Sequence, residues 1–179
     1  MVKSLYNYTE GKKIPEPYFW TDEEYLKSLT ASLHPCTDCL IISKEKRTVL
    51  FPKRRTKTGQ GYWFVGGVWK PQKDYLENMR DIFQRETGLD IKTERFKRVK
   101  LADNNDMPVR TLWSTGRNDI HFIFSVELTE KEIKKASENL DSQEYNTKVG
   151  LQEFTLEELK NTDGIRSIII DTVELALKK

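Results

Sequence analysis

The sequence predicts one α/β domain in which helices cover both faces of a mixed β-sheet. Segments with the residue types and flanking turns of β-strands occur at 38–43, 47–53, 62–65, 94–102, 119–128 and 148–154. Helical spacing of apolar residues interrupts this series at 74–87 and closes the chain at 164–178. A chain of 179 residues is long enough to bury one adequate core.

At the N-terminal end, residues 1–19 are expected to form an extended arm, and residues 20–179 the single domain. Thr21 and Glu24 have the spacing of a capping box, in which a hydroxyl and a carboxylate satisfy the first backbone N–H groups of a helix. This spacing predicts a short helix over residues 22–32.

In the middle of the chain, a polar turn at 44–46 joins the first two strands and predicts a β-hairpin. The aromatic strand at 62–65 ends at the pair Gly66-Gly67. One stripe of the helix that follows consists of Tyr75, Met79, Ile82, Phe83 and Glu86. Gly88 closes this helix, because glycine readily adopts the left-handed conformation that ends one.

The second half of the chain contains further helical segments. A long loop is expected at 104–118, either as a functional flap or as a mobile insertion. A helix is expected at 129–138 and a short helical turn at 155–161. The apolar stripe of the final helix consists of Ile165, Ile168, Ile169, Val173 and Ala176.

The composition excludes several classes of protein. The 30 Lys and Arg residues nearly balance 28 Asp and Glu residues, so no nucleic-acid partner is expected. A hydrophobic fraction of 37%, with four Trp, seven Tyr and eight Phe, argues against disorder. There is no apolar run of roughly 18 residues and no signal-peptide pattern, so no membrane association is expected. With only two cysteines, the chain is expected to be a cytoplasmic protein rather than a disulfide-stapled secreted one.

Positive charge is concentrated in two segments, 44–57 and 92–100. A basic cluster indicates an anionic ligand, of which phosphate is the commonest. Lysine-rich edges of a solvated sheet give the same pattern, and this alternative stays open.

The segment 55–89 carries the clearest indication of chemistry. Its paired glycines allow a ligand or an ion to approach the backbone closely. Glu86 continues the apolar stripe of the predicted helix, and a carboxylate near a buried face needs a partner such as a divalent cation. Alternatively, Glu86 lies in a frayed last turn and reaches water.

This segment resembles the Nudix box, which reads glycine, five residues, Glu, seven residues, then Arg-Glu-apolar-x-Glu-Glu-x-Gly-apolar. Taking Gly67 and Gly88 as its first and last glycines puts three more residues in register: Phe83, Glu86 and Leu89. The positions that depart from the box are Lys73, Asp81, Ile82 and Arg85. Of the three clustered glutamates that bind metal in the family, only Glu86 therefore remains. A second register, starting at Glu77, misplaces the closing glycine.

One branch of the family, the GDP-mannose mannosyl hydrolases, has a similarly reduced box. Residues 36–160 of this chain resemble that branch. Its Arg-Thr loop and its Gln-Gly-Tyr-Trp-Phe-Val segment correspond to residues 55–56 and 60–65. The residues that the resemblance assigns to substrate binding are Asp38, Arg55, Tyr62 and Trp63. Core packing is the alternative for the two aromatic residues.

The resemblance also assigns catalytic and metal-binding roles. The magnesium ligands that it implies are Glu86, Gln143 and the backbone carbonyl of Gly66. The late Asp-x-Gln-His loop of this branch corresponds to residues 141–144, in which Glu144 replaces the histidine that acts as general base. Glu144 and Arg55 are thus the expected catalytic residues, because a carboxylate can activate water and an arginine can clamp phosphate oxygens.

The resemblance implies a Nudix-fold α/β/α sandwich that hydrolyses a nucleoside-diphosphate sugar with Mg²⁺. In this chemistry water attacks the anomeric carbon and a nucleoside diphosphate leaves. Two alternatives remain: a Nudix pyrophosphatase acting on another nucleoside diphosphate derivative, and a catalytically silent Nudix domain in which Arg85 replaces the metal and pairs with Glu86. Dimers are common in this branch, so a homodimer is possible.

Two further groups of residues have competing interpretations. Cys36 and Cys39 have the spacing of a metal-binding pair, with His34 and His121 as possible partners, although packing of free thiols is the simpler interpretation. His121 also lies in a predicted strand, where a histidine is more often a sheet residue than a catalyst.

Overall fold

The computed structural model describes residues 21, 23–24, 34–56, 59–70, 73–106 and 117–178. The predicted arm at 1–19 and most of the predicted helix at 22–32 lie outside the described residues. Thr21 makes the predicted capping-box contacts, since its backbone N–H and its hydroxyl donate to Glu24 Oε2 at 2.8 and 2.9 Å.

The described residues form seven strands, four α-helices and one short 3₁₀ helix. The strands are β1 (His34–Ser43), β2 (Val49–Thr56), β3 (Gly59–Tyr62), β4 (Val65–Val68), β5 (Lys97–Asp106), β6 (Arg117–Leu128) and β7 (Leu151–Phe154). The α-helices are α1 (Tyr75–Thr87), α2 (Glu130–Glu138), α3 (Leu156–Lys160) and α4 (Ser167–Leu177). The 3₁₀ helix is Thr93–Arg95.

Strand β1 is the centre of the sheet. It runs parallel to β6 along its whole length and antiparallel to β2 and β4, so the sheet is mixed. The strand order is β3-β2-β1-β6-β5, with β4 paired to β1 and β7 paired to β2. This arrangement brings the glycine pair of β4 beside the first half of β1.

Each face of the sheet carries its own hydrophobic core. On one face, which we call the α1 face, Cys39 and Ile41 of β1 pack with helices α1 and α2. On the other, the α4 face, Leu40 and Ile42 pack with helices α3 and α4. The predicted α/β/α sandwich is confirmed, because successive residues of one buried strand serve opposite layers.

Helix α1 follows the sequence prediction closely. Asp74 is its N-cap, and it forms a capping box with Glu77. Gly88 ends the helix in the left-handed conformation, with φ = 68°. The predicted stripe is buried, including Glu86, which is only 1% exposed. Glu86 therefore does not reach water from a frayed turn.

Several strand boundaries differ from the prediction, since β1 begins at His34, β5 at Lys97 and β7 at Leu151. The aromatic segment 62–65 is not one strand, because β3 ends at Tyr62 and β4 begins at Val65. The loop expected at 104–118 is shorter, since β5 and β6 pair as far as Asp106 and Arg117. Backbone hydrogen bonds extend these strands through polar residues that carry no apolar strand signal.

Within the described residues, no helix is long and apolar enough to cross a membrane.

Candidate functional site

Gly66 lies at the centre of the candidate site. It pairs with Asp38 across the antiparallel β1–β4 ladder. A Cβ atom at this position would lie 2.6 Å from the carbonyl oxygen of Thr37 and 2.8 Å from Asp38 Cα. Because both are backbone atoms, they cannot move aside as a flexible side chain could. Only glycine fits between these strands.

On the α1 face, the carboxylate of Glu86 is surrounded by hydrogen-bond donors. The backbone N–H of Gly66 donates to Oε2 at 3.2 Å. The hydroxyl of Tyr145 donates to the same oxygen. Arg85 Nη2 donates to Oε1 at 2.6 Å. Glu86 is therefore a buried carboxylate whose two oxygens both have partners.

The environment of Glu86 acts on its protonation in opposite directions. Burial raises the pKa of Glu86, whereas the hydrogen bond from Tyr145 and the charges of Arg85 and Arg54 oppose this effect. Burial, reinforced by the nearby Glu86 charge, raises the pKa of the Tyr145 hydroxyl well above its usual value. Tyr145 thus remains a hydrogen-bond donor across the physiological pH range.

Arg54 adds a second guanidinium to this centre. It is paired with Tyr145 by an isolated antiparallel bridge, and its Nη2 donates to the carbonyl of Gly66 at 3.1 Å. Burial would lower the pKa of Arg54, but the neighbouring acidic groups, led by Tyr145 and Asp38, raise it overall. Its Nε is buried without a hydrogen-bond partner among the described residues.

The segment 141–145 connects this centre to the expected catalytic residues. The N–H of Asp141 donates to the backbone carbonyl of Glu86 at 3.0 Å. The N–H of Arg55 donates to the carbonyl of Glu144, also at 3.0 Å. Gln143 is exposed, and its N–H donates to Asp141 Oδ1 at 2.8 Å. The contact from this segment to the Glu86 carboxylate comes from Tyr145.

On the α4 face, a second buried carboxylate has a different partner. Asp38 is 2% exposed, and its Oδ2 is hydrogen-bonded to Nδ1 of His121. The other ring nitrogen of His121 lies 3.9 Å from Asp119 Oδ2. The ring of Trp63 packs edge-on against His121, with centroids 5.9 Å apart. The guanidinium carbon of Arg166 lies 5.0 Å from the Trp63 ring centroid.

Tyr62 extends the α4 face towards β2. Its ring packs edge-on against Phe154, with centroids 5.0 Å apart, and Lys53 Nζ lies 5.8 Å from its centroid. Strand alternation from the buried Phe51 places Lys53 and Arg55 on this same face. Arg55 is exposed. Aromatic and cationic groups thus line one side of the sheet.

The site residues expected from the sequence therefore lie on both faces of the sheet, and Gly66 has neighbours on each. Glu86 lies on the α1 face, whereas Asp38, Tyr62 and Trp63 lie on the α4 face. The catalytic, substrate-binding and metal-binding roles of these residues remain predictions. The contacts that the sequence did not indicate are those of Arg54, Tyr145 and His121.

Each of these three residues carried only a weak signal in the sequence. Arg54 belonged to a basic run, in which it could not be told apart from Arg55. Tyr145 directly follows the segment that resembles the family's late loop. His121 had been singled out, but its partner Asp38 is 83 residues away.

The oxygen atoms at Glu86 and Gly66 are not arranged to bind a magnesium ion in this structure. Among the described residues there is no group of three or more His, Cys, Asp or Glu side chains that could hold a metal. Both oxygens of Glu86 and the carbonyl of Gly66 already accept hydrogen bonds. The positive charge of the Arg85 guanidinium beside Glu86 would also repel a divalent ion.

The two cysteines behave as packed thiols. Both are free and buried, and Cys39 belongs to the core on the α1 face. Burial, reinforced by Asp38, raises the pKa of the Cys39 thiol well above its usual value. Alternation along β1 directs Cys36 to the opposite face, so the two thiols do not converge on one zinc ion.

The two basic segments meet in a groove of about 800 Å³ at the other end of β1. Its basic lining residues are Lys44, Arg47, Arg95, Lys97 and Arg98. Glu127 pairs with Arg47 and Glu132 with Arg95, and the latter pairing lowers the pKa of Glu132 to about 2. Much of the positive charge in this groove is therefore already balanced by carboxylates. None of the expected site residues lines it.

The architecture defines a Nudix fold: solved structures of Nudix and MutT proteins superpose on most of this chain. One is a MutT protein from Methanosarcina mazei, with a TM-score of 0.60, 14% identity, and coverage of 82% of this chain and 93% of its own. A MutT NUDIX hydrolase from Burkholderia pseudomallei has a TM-score of 0.59 and 12% identity, with coverage of 80% and 98%.

A third structure is the NUDIX domain of Shewanella oneidensis NrtR complexed with ADP ribose. It has a TM-score of 0.56 and 11% identity, and the match covers 88% of this chain and 99% of that domain. At such low identities the likeness shows a common fold. No protein-family model matches the sequence, and no curated protein matches it.

Proposed function

We propose that this protein hydrolyses a nucleoside-diphosphate sugar, with water attacking the anomeric carbon and a nucleoside diphosphate leaving. The observation that carries this proposal is the convergence of distant segments at Gly66. Glu86 contacts the N–H of Gly66, segment 141–145 contacts Glu86, and the backbone carbonyl of Glu144 accepts a hydrogen bond from the backbone N–H of Arg55. This convergence supports a common site for the expected base and the expected phosphate clamp.

The proposed reaction requires three tasks from the chain. The carboxylate of Glu144 takes a proton from water as the water oxygen bonds to the anomeric carbon. The bond between that carbon and the diphosphate oxygen breaks, and the guanidinium of Arg55 stabilises the departing negative charge. Asp38, Tyr62 and Trp63 would hold the sugar and the base.

Magnesium has no assigned step in this proposal. The resemblance adds it at Glu86, Gln143 and the carbonyl of Gly66, and its role in Nudix chemistry is to neutralise phosphate charge. The donors around Glu86 are occupied by hydrogen bonds, as described above. The ADP-ribose complex of the NrtR domain supports the broader ligand class, the nucleoside diphosphate derivatives, because the diphosphate of ADP-ribose is joined to C5 of the sugar and not to its anomeric carbon.

The test is an incubation with GDP-mannose and with ADP-ribose in ¹⁸O-labelled water, with and without Mg²⁺, followed by mass spectrometry. With GDP-mannose, whose diphosphate is joined to the anomeric carbon, the proposal predicts label in the released sugar, whereas label in phosphate would indicate pyrophosphatase chemistry at phosphorus. ADP-ribose carries its diphosphate on C5 of the ribose, so its hydrolysis can report only the chemistry at phosphorus. Glu144→Gln should lower turnover by about 10²–10⁴-fold, the usual contribution of a general base. Glu138→Gln, an exposed change on α2, is the matched control and should leave turnover unchanged. Absence of turnover in every condition would reject hydrolysis.

A second candidate is a catalytically silent domain that binds a nucleotide derivative. The ion pair between Arg85 and Glu86, 2.6 Å long, specifically favours it, because a guanidinium occupies the carboxylate that would otherwise bind metal. Calorimetry with the same two compounds discriminates between the candidates. Binding without turnover supports the silent domain.

A further inference from the structure

We infer that Arg85 and Arg54 take the place of the divalent ion at Glu86, so that this centre binds a diphosphate through guanidinium groups without metal. This inference rests on the proposed ligand class. It concerns how the negative charge of that ligand is met, and it holds for either the hydrolase or the silent domain.

Arg85 occupies the carboxylate side of the centre. Its Nη2 lies 2.6 Å from Glu86 Oε1 and 3.8 Å from the position that a Cβ of Gly67 would take. The Arg85 side chain is about half exposed, whereas that of Glu86 is 1% exposed. Arg85 thus joins the buried carboxylate to the solvent side of the glycine pair, where a ligand can reach its remaining N–H groups.

Arg54 occupies the carbonyl side of the centre. Its Nη2 donates to the Gly66 carbonyl, the backbone oxygen to which the resemblance assigns a metal bond. The acidic groups around it raise its pKa, so it stays charged at any physiological pH. Tyr145 completes the enclosure by donating to Glu86 Oε2.

These contacts replace a divalent ion with two fixed monovalent cations. Guanidinium groups match the spacing of phosphate oxygens and donate to them in pairs. Positive charge held by covalently attached side chains is present whether or not the solution contains Mg²⁺. A diphosphate bound here should therefore be insensitive to chelation.

The first arm of the test uses Mn²⁺ alone, detected by electron paramagnetic resonance of the free ion. The wild-type protein should bind Mn²⁺ no better than Glu86→Gln. Arg85→Glu, which restores an acid at a family metal position, should bind Mn²⁺ at least ten-fold more tightly than the wild type. Arg80→Glu makes the same change elsewhere on α1, where Arg80 pairs with the exposed Asp90, and should not gain affinity.

The second arm measures binding of GDP-mannose and ADP-ribose by calorimetry in EDTA and in Mg²⁺. Wild-type affinity should agree within about two-fold between the two conditions. Arg85→Glu should lose at least ten-fold in EDTA and recover in Mg²⁺, whereas Arg85→Lys should retain most of the affinity because it keeps the charge. Circular dichroism of each variant checks that it is folded.

The outcomes separate this inference from the proposed function. Wild-type Mn²⁺ binding that is lost in Glu86→Gln would overturn the inference, and so would nucleotide binding that requires Mg²⁺. If neither the wild type nor Arg85→Glu binds Mn²⁺, Arg85 is not what excludes the ion, which also contradicts it. Failure of both compounds to bind in either condition would instead reject the proposed ligand class.

Discussion

The two buried carboxylates beside Gly66 lie on opposite faces of the same sheet and have different partners. Glu86 on the α1 face is surrounded by Arg85, Tyr145 and the N–H of Gly66. Asp38 on the α4 face is paired with a histidine, His121. Gly66 is next to both carboxylates, because its N–H donates to Glu86 and it pairs with Asp38 across the β1–β4 ladder.

The difference concerns which groups can exchange a proton near neutral pH. Arginine stays charged under all ordinary conditions, and the pKa of Tyr145 is raised further. The Glu86 centre is thus a fixed arrangement of charge. Histidine is the side chain whose charge most readily changes near neutrality. The buried carboxylate on the α4 face thus has an imidazole as its partner, whereas the one on the α1 face lies between two guanidinium groups.

The largest effect is expected from Gly66→Ala, which would force strands β1 and β4 apart. The new Cβ would meet backbone atoms at 2.6 and 2.8 Å, so we expect a loss of more than about 3 kcal/mol or a failure to fold. Gly67→Ala is the matched control, because its nearest neighbour would be Ile82 Cδ1 at 3.6 Å, an ordinary contact. Urea denaturation measures both. Equal stability of the two variants would refute the role given to Gly66.

On the α4 face, a double-mutant cycle with Asp38→Ala and His121→Ala should give a coupling energy of about 2 kcal/mol. The reason is that a buried hydrogen bond to a charged group is worth about 1.5–3 kcal/mol. The free energies of unfolding of the wild type, the two single variants and the double variant provide the measurement. Additive effects would mean that the pair does not stabilise the fold.

On the α1 face, Tyr145→Phe should destabilise the protein by about 1–3 kcal/mol, because a buried carboxylate loses one of its donors. Tyr75→Phe is the control, since the described contacts of the Tyr75 ring are aromatic ones, with Trp69, Phe122 and Phe124. Thermal and urea unfolding report the difference. If both variants lose the same stability, the Tyr145 hydroxyl is not the cause.

The smallest effect is a pH dependence at Glu86. Burial raises its folded pKa above the ordinary value of 4.5, so its ionised form is disfavoured in the folded state. The resulting stability is fully present below pH 4.5 and is lost as the pH rises through the folded pKa. Relative to Glu86→Gln, the wild type should therefore lose stability as the pH rises above 4.5 and through the folded pKa of Glu86, as measured by urea unfolding over a pH series. A difference that grows in the opposite direction would mean that the arginines dominate.

Local patterns in the sequence predicted much of this fold. The spacing of the α1 stripe placed Glu86 on the buried face, and Gly88 marked the end of that helix. Helical periodicity determines which side of a helix each residue lies on. The burial of Glu86 and the end of the helix at Gly88 could therefore be predicted from the local sequence alone. The family resemblance predicted the sandwich and drew attention to Gly66.

The partners in the site could not be predicted in the same way, because they depend on pairing between distant segments. His121 reaches Asp38 only through the parallel register of β1 and β6. Arg54 donates to the Gly66 carbonyl, and the isolated bridge between β2 and segment 141–145 pairs it with Tyr145. Once the strand is known, alternation places Arg54 and Arg55 on opposite faces of the sheet. The sequence alone shows only a run of basic residues, in which the two positions look alike.

The most direct test is a crystal structure of the protein grown with Mn²⁺ and ADP-ribose, with anomalous scattering recorded for the manganese. We expect no anomalous peak within bonding distance of Glu86, with Arg85 still paired to it and phosphate density against the guanidinium groups. A manganese ion bound to Glu86 and the Gly66 carbonyl, with Arg85 turned away, would contradict this account.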